Sequence, residues 1–142
     1  MYLWDTNILT HYVDGHATLR AHLQRTPWSQ IALPSAVVAE VLRGRCEFAL
    51  KATAVQLPLA HYLLLETQRL LSNFQVIVFD QPCATTLAQL QTQHRSHKRY
   101  ADLLIAATAL AGKHIVVTRN IRHFVDLLPA DRLANWIDDP PQ

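Results

Sequence analysis

Eleven acidic residues in a chain of 142 is few, and three of them stand where a carboxylate needs a reason. Asp5 directly follows an apolar, β-favouring run at Tyr2–Trp4. A strand there would carry the carboxylate at its mouth. On position alone, capping a helix that starts at Thr6 explains Asp5 as well as a catalytic role does. Asp102 carries a stronger signal. It is the one acid in Ala101–Gly112, a segment that is apolar almost all round, so the helix it opens is central and poorly solvated. Interaction with the helix dipole is worth only about 0.3–1 kcal/mol, small beside the cost of desolvating a carboxylate, and a bound cation would offset that cost better. Glu40 is ambiguous: helical spacing puts it beside Arg43, Glu47 and Lys51, outside the Val37–Val41–Phe48 stripe, which suits a solvated face with Arg43 as partner. Asp80, in Asp-Gln-Pro, has the form of an ordinary helix cap. Carboxylates converging at one sheet edge repel one another unless a hard cation sits between them, and oxygen-only ligation selects Mg²⁺ or Mn²⁺. Such a centre activates water and neutralises a phosphodiester in its transition state.

Other chemistries find less support. The eight His do not pair with Cys at finger spacings, and His94-x-x-His97 lies in a basic stretch, which disfavours zinc. Gly15, Gly44 and Gly112 stand alone, so there is neither a phosphate-cradling P-loop nor a dinucleotide fingerprint, and no G-x-S-x-G elbow marks a serine hydrolase. Cys46 and Cys83 form no C-x-x-C pair and suit a reducing compartment. Thirteen Lys and Arg leave a formal charge of only +2, yet they gather near the suspected acids: Arg43 and Arg45; Arg95, Lys98 and Arg99; Arg119 and Arg122. Positive charge around an acidic centre would hold a polyanionic backbone, although a plain solvated surface produces similar clusters.

The elements that must position these residues alternate. Strands are expected at Tyr2–Trp4, Ile31–Leu33, Val76–Phe79 and Ile115–Thr118, and helices at Asn7–Val13, Thr18–Arg25, Ala36–Leu50, Leu59–Asn73, Cys83–Arg95 and Ala101–Gly112. Half the residues are apolar, enough for a core, and the length suits a single domain over residues 1–142. The alternation predicts an α/β fold with a central, mostly parallel sheet of about four or five strands, flanked by helices on both faces. Pro34-Ser35 offers an N-cap before Ala36, Asp80-Gln81-Pro82 opens another helix, and Gly112 ends the helix that Ala101 begins. In open parallel sheets ligands bind beyond the carboxyl ends of the strands. The residues there are Asp5-Thr6-Asn7, Pro34-Ser35, Asp80 and Thr118-Arg119-Asn120. The first residues lack the basic and apolar regions of a signal peptide, and no run reaches the roughly 20 residues of a membrane span, so a soluble, cytoplasmic protein is expected.

Four segments in order, MYLWDTNIL, PSAVVAEVLRG, ADLLIAATAL and IVVTRNIRHF, with a late Trp136, resemble the PIN-domain ribonucleases, and in particular the VapC-type toxins of bacterial toxin–antitoxin pairs. Each segment is short, but the four at the family's spacing cover nearly the whole chain. The resemblance implies a PIN-like fold in which Asp5, Glu40 and Asp102 form the acidic metal-binding triad. Thr6, Asn7 and Thr118 would then orient those ligands or position phosphate, and Ser35 would cap the helix that aims Glu40. Asn120 stands where many PIN domains have a fourth catalytic Asp. Its amide can orient a water, but the lost charge weakens the case for a second metal, with Asp126 the substitute carboxylate to consider. The implied activity is a Mg²⁺- or Mn²⁺-dependent endoribonuclease that hydrolyses structured RNA to 5′-phosphate and 3′-hydroxyl ends. Arg43, Arg45, Lys98, Arg99, Arg119 and Arg122 are the candidate RNA contacts. The implied partners are a second copy in a homodimer and a VapB-type antitoxin, through which DNA is contacted indirectly. Helices near Thr18–Arg25 and Leu59–Asn73 offer apolar positions for these contacts, which core packing explains equally well. Two other classes compete: a PIN-fold binding module weakened by Asn120, and a phosphatase-like enzyme with Asp5 as nucleophile. The latter normally has a second Asp where Asn7 stands.

Overall fold

The computed structural model describes residues 1–97 and 99–142. Five parallel strands, β1 (Tyr2–Trp4), β2 (Ile31–Pro34), β3 (Gln75–Ile77), β4 (Ile115–Val117) and β5 (Leu133–Ala134), form one sheet in the order β3-β2-β1-β4-β5. The helices are α1 (Thr6–Val13), α2 (Ala17–Leu23), α3 (Ser35–Lys51), α4 (Leu57–Leu71), α5 (Gln81–Gln93) and α6 (Tyr100–Gly112). All four expected strands and six expected helices are present, with ends displaced by up to a few residues. β5 lies outside the four expected strands because two residues, Leu133 and Ala134, are too short for any alternation to register. β3 starts earlier than expected and is largely exposed, since it forms the sheet edge and buries only part of one face.

β1 lies at the centre because it is apolar and can be covered on both faces: Leu3 and Trp4 are fully buried. It pairs with β2 on one side and with β4 on the other, Trp4 facing Val117. The strand order therefore reverses at β1, and the crevice beyond its carboxyl end, next to β4, is the place where this topology puts a site. Trp4 anchors the core through ring contacts with Tyr12, Trp28, Phe74 and Trp136, at centroid separations of 5.4–6.4 Å.

α6 is central, as its composition predicts. Leu103 and Ile105–Ala109 are buried, and the helix packs on both α5 and α3. Its end differs from expectation. Gly112 is the last helical residue, and the left-handed turn falls on Lys113 at φ 56°. Gly112 serves close approach instead: a Cβ there would lie 2.2 Å from Nε2 of His114, whose ring packs over it. Among the described residues no helix is long and apolar enough to cross a membrane.

Candidate functional site

Asp5 leaves β1 with its backbone N–H donating to the Val117 carbonyl at 3.0 Å, which brings the ends of β1 and β4 together. Its carboxylate is only 7% exposed and is held from three directions. Oδ1 accepts from Thr6 N–H at 2.8 Å, while Oδ2 accepts from the Thr118 hydroxyl at 2.8 Å and from Asn7 Nδ2 at 3.0 Å. The capping reading and the site reading of Asp5 are thus compatible, because one oxygen serves each. Thr118, fully buried, accepts from Asn7 Nδ2 at 3.2 Å and from Asn120 N–H at 3.0 Å, and Asn7 Oδ1 accepts from Arg119 N–H at 3.1 Å. D-T-N after β1 and T-R-N after β4 therefore interlock as one hydrogen-bonded unit.

Glu40 joins from α3. Its Oε1 accepts from the Thr6 hydroxyl at 2.5 Å, and it is half-buried on the side of α3 that faces α1. The expected pairing with Arg43 is not formed; Arg43 is exposed. Asp102 enters from the first turn of α6, its side chain 13% exposed. Its Oδ2 is buried without a hydrogen-bond partner and lies 3.7 Å from Nδ1 of His123, in the 3₁₀ turn Ile121–His123. Burial pushes the Asp5 carboxyl above its ordinary range against the pull of the Thr118 and Thr6 hydrogen bonds, and Glu40 adds to the rise. Asp102 is raised by burial first and by the charge of Asp5 second, with His123, Arg99 and His97 opposing.

The chemistry of these donors fits a hard divalent cation: they are carboxylate oxygens, one of them is an orphaned buried acceptor, and both raised carboxyls would be relieved by positive charge. As the side chains stand, no three His, Cys, Asp or Glu among the described residues are close enough to enclose an ion. Glu40 has one oxygen committed to Thr6.

Other expected roles change. Ser35 does not cap α3. It is the first residue of that helix, and its hydroxyl accepts from Phe79 N–H at 3.1 Å, tying the β2–α3 junction to the segment after β3. Asp80 caps α5 through Cys83 N–H at 3.2 Å. Asn120 is exposed and reaches the unit through its backbone, while Asp126 is exposed in the turn beyond Phe124. Among the basic residues, Arg45 directs Nε to the Thr67 hydroxyl at 3.1 Å, and Arg119 forms two 3.2 Å contacts with Asp138, so both have protein partners. Arg99 and Arg122 are exposed near Asp102 and His123 in sequence; Lys98 lies outside the described residues. His123 is the neighbour of Asp102 that the sequence pattern does not single out. The signal was its place in the T-R-N-I-R-H-F segment after β4, which sequence alone could not distinguish from seven other histidines.

A parallel sheet whose strand order reverses at β1, with carboxylates beyond that reversal, has them where α/β folds of this kind place their ligand sites. The sequence matches the PIN domain family over residues 2–127, and the chain belongs to that family, whose members are generally nucleases. No curated protein matches the sequence. Among solved structures it is similar to FitAcB from Neisseria gonorrhoeae at 26% identity and TM-score 0.73, over 98% of this chain and 100% of that one. It is similar at 26% identity and TM-score 0.68 to VapBC2 from Rickettsia felis bound to a promoter DNA fragment, over 95% and 98% of the two chains. The DNA-bound VapBC of Salmonella typhimurium, at 20% identity, shares the fold with a TM-score of 0.77 over 95% and 97%.

Proposed function

We propose that residues 1–142 act as one PIN-like nuclease unit, a divalent-metal-dependent endoribonuclease that is the toxin of a type II toxin–antitoxin pair. The observation that carries this reading is the orphaned Oδ2 of Asp102 set beside the buried, triply bonded carboxylate of Asp5. Asp5, Glu40 and Asp102 would hold Mg²⁺ or Mn²⁺. When bound, the ion supplies Lewis acidity and an activated water for phosphodiester hydrolysis.

The protein's own contribution is orientation. Thr6 N–H, Asn7 and Thr118 fix both oxygens of Asp5, so the carboxylate needs no reorganisation to act. Thr6 couples this unit to Glu40. His123 faces Asp102 at 3.7 Å and supplies it with a polar neighbour. Arg99 and Arg122, exposed and free of ion pairs among the described residues, are suited to hold RNA phosphates, and Arg43, exposed on α3, and Lys98 remain candidates by sequence alone. The structural neighbours include a toxin–antitoxin complex from Klebsiella pneumoniae and the DNA-bound VapBC structures, which supports a VapB-type antitoxin as partner and DNA contact through it. The same reading includes a homodimer and action in the cytoplasm.

Inducible expression without a partner protein tests this. Wild type arrests growth and leaves new RNA ends carrying 5′-phosphates, and Asp102→Asn does neither. Arrest by both forms, or RNA binding indifferent to chelator with no new ends, would favour a binding module.

A further inference from the structure

A second concavity, of about 280 Å³, opens beside the first turn of α6. Gln91 and His94 line it from the end of α5, Arg95 and His97 from the connection, and Tyr100 and Leu103 from α6. Leu103 is buried and supplies an apolar floor, whereas Tyr100 is 56% exposed and lies outside the hydrophobic core. A large aromatic left open at the start of an otherwise buried helix has no packing task. Around it stand an amide with both a donor and an acceptor (Gln91), two imidazoles and an exposed guanidinium (Arg95). The volume falls just under the roughly 300–1,000 Å³ of small-ligand clefts, which suits one flat ring with hydrogen-bonding edges.

The pocket shares a wall with the candidate centre. His97 accepts from Arg99 N–H at Nδ1, 3.3 Å, and its Nε2 lies 3.4 Å from the carbonyl of His123, the residue whose ring is 3.7 Å from Asp102. Tyr100 and Asp102 occupy the same helical turn. We propose that this pocket seats one unpaired RNA base next to the scissile phosphate, stacked on Tyr100 and read at its edge by Gln91 and His94, and so gives the enzyme a base preference at that position. The inference rests on the ribonuclease reading. Single-stranded recognition fits the chemistry, because a base must leave its helix to stack on a side chain, and an aromatic face with a nearby cation is how proteins take it.

Two measurements on the full chain test it. A pool of RNA hairpins with randomised loops is cleaved with Mn²⁺ by wild type, Tyr100→Phe, Tyr100→Ala and Gln91→Ala, and the ends are sequenced. Wild type and Tyr100→Phe favour one base at a fixed position beside the cut. Tyr100→Ala no longer seats the base, so its ends flatten and its cleavage rate falls about 5- to 150-fold, the usual value of one stacked base, and Gln91→Ala changes which base is favoured. The same substitutions are placed in an Asp102→Asn background, and binding of a fluorescent hairpin is measured in chelator. Tyr100→Ala weakens binding about 5- to 150-fold there, and Tyr100→Phe does not. Uniform wild-type ends, or an end map and affinity unmoved by Tyr100→Ala and Gln91→Ala, overturn the pocket. Tyr100-dependent binding without any cleavage by wild type overturns the nuclease reading and leaves the pocket standing. Cleavage with Tyr100-independent ends does the reverse.

Discussion

The Asp5 carboxylate is buried at a cost that its neighbours only partly offset, and the same is true of Asp102, which lacks even a donor for Oδ2. Both carboxyls titrate above the ordinary value of 3.8, so the folded chain holds more protons than the unfolded one in that range. Stability of the metal-free protein therefore falls as pH rises from about 4 through the raised folded pKa values, and the penalty persists at neutral pH. Thermal melts in chelator should show this fall, a smaller one for Asp102→Asn, and a higher midpoint for that variant at pH 7. Added Mn²⁺ should raise the wild-type midpoint and move the variant less, since an ion bound only by the folded state stabilises it by mass action. Thr118→Val keeps the shape of a buried side chain but removes the donor to Oδ2 and the acceptor for Asn7 and Asn120. Loss of such a partner behind a metal ligand should lower cleavage about 10–100-fold, checked by kcat at saturating metal. The withdrawal of Asp5 and Asp102 from solvent was legible in the sequence because each is an acid at the edge of an apolar run, although position alone left Asp5 open between a helix cap and a site. Glu40 was not, because helical spacing ranks neighbours on its own helix and says nothing of Thr6 across the interface. The Ser35 hydroxyl defeated the capping rule for the same reason: its partner, Phe79 N–H, is 44 residues away in sequence.

The helix that carries Asp102 shows which element boundaries a sequence reveals. Its apolar composition announces burial, and its start is legible within a residue, but the glycine near its end invites the wrong reading. Lys113 holds the left-handed conformation, at φ 56°, that glycine adopts without strain. Lys113→Gly should stabilise the fold by about 1 kcal/mol, measured by denaturant midpoint. Gly112→Ala should act oppositely. Its Cβ would collide with the His114 ring at 2.2 Å and displace it from the Met1 amino group, 3.2 Å from Nδ1, costing roughly 1–3 kcal/mol. The short strands are legible only when flanked by contrast. Ile115–Val117 stands out between Lys113-His114 and Thr118, whereas Leu133–Ala134 is recognisable only from its pairing with β4.

Across the whole molecule, both ends of the sheet order are tied to the centre through aromatic packing. Trp136, just after β5, is 4% exposed and contacts Tyr2, Trp4 and, in a parallel stack at 4.9 Å, His22. Trp136→Ala should cost about 3–5 kcal/mol, seen as a fall in the thermal midpoint, and should loosen the β1–β4 junction that aligns Asp5 with Thr118. At this scale the alternation of strands and helices made the parallel sheet and its carboxyl-end site legible, while the reversal at β1 emerges only from pairing. Charge also reads differently: with Asp5, Glu40 and Asp102 each partly or fully withdrawn from solvent, the remaining surface is more basic than the formal +2, although Arg119 returns part of that to Asp138. The most direct measurement is cleavage of structured RNA by the purified chain with Mg²⁺ or Mn²⁺, compared with Asp5→Asn and Asp102→Asn. The account predicts metal-dependent cutting that leaves 5′-phosphates and falls at least about 100-fold in each variant, beyond the loss expected from an outer partner. Cutting at the wild-type rate by both variants, or cutting that persists in chelator, would contradict it.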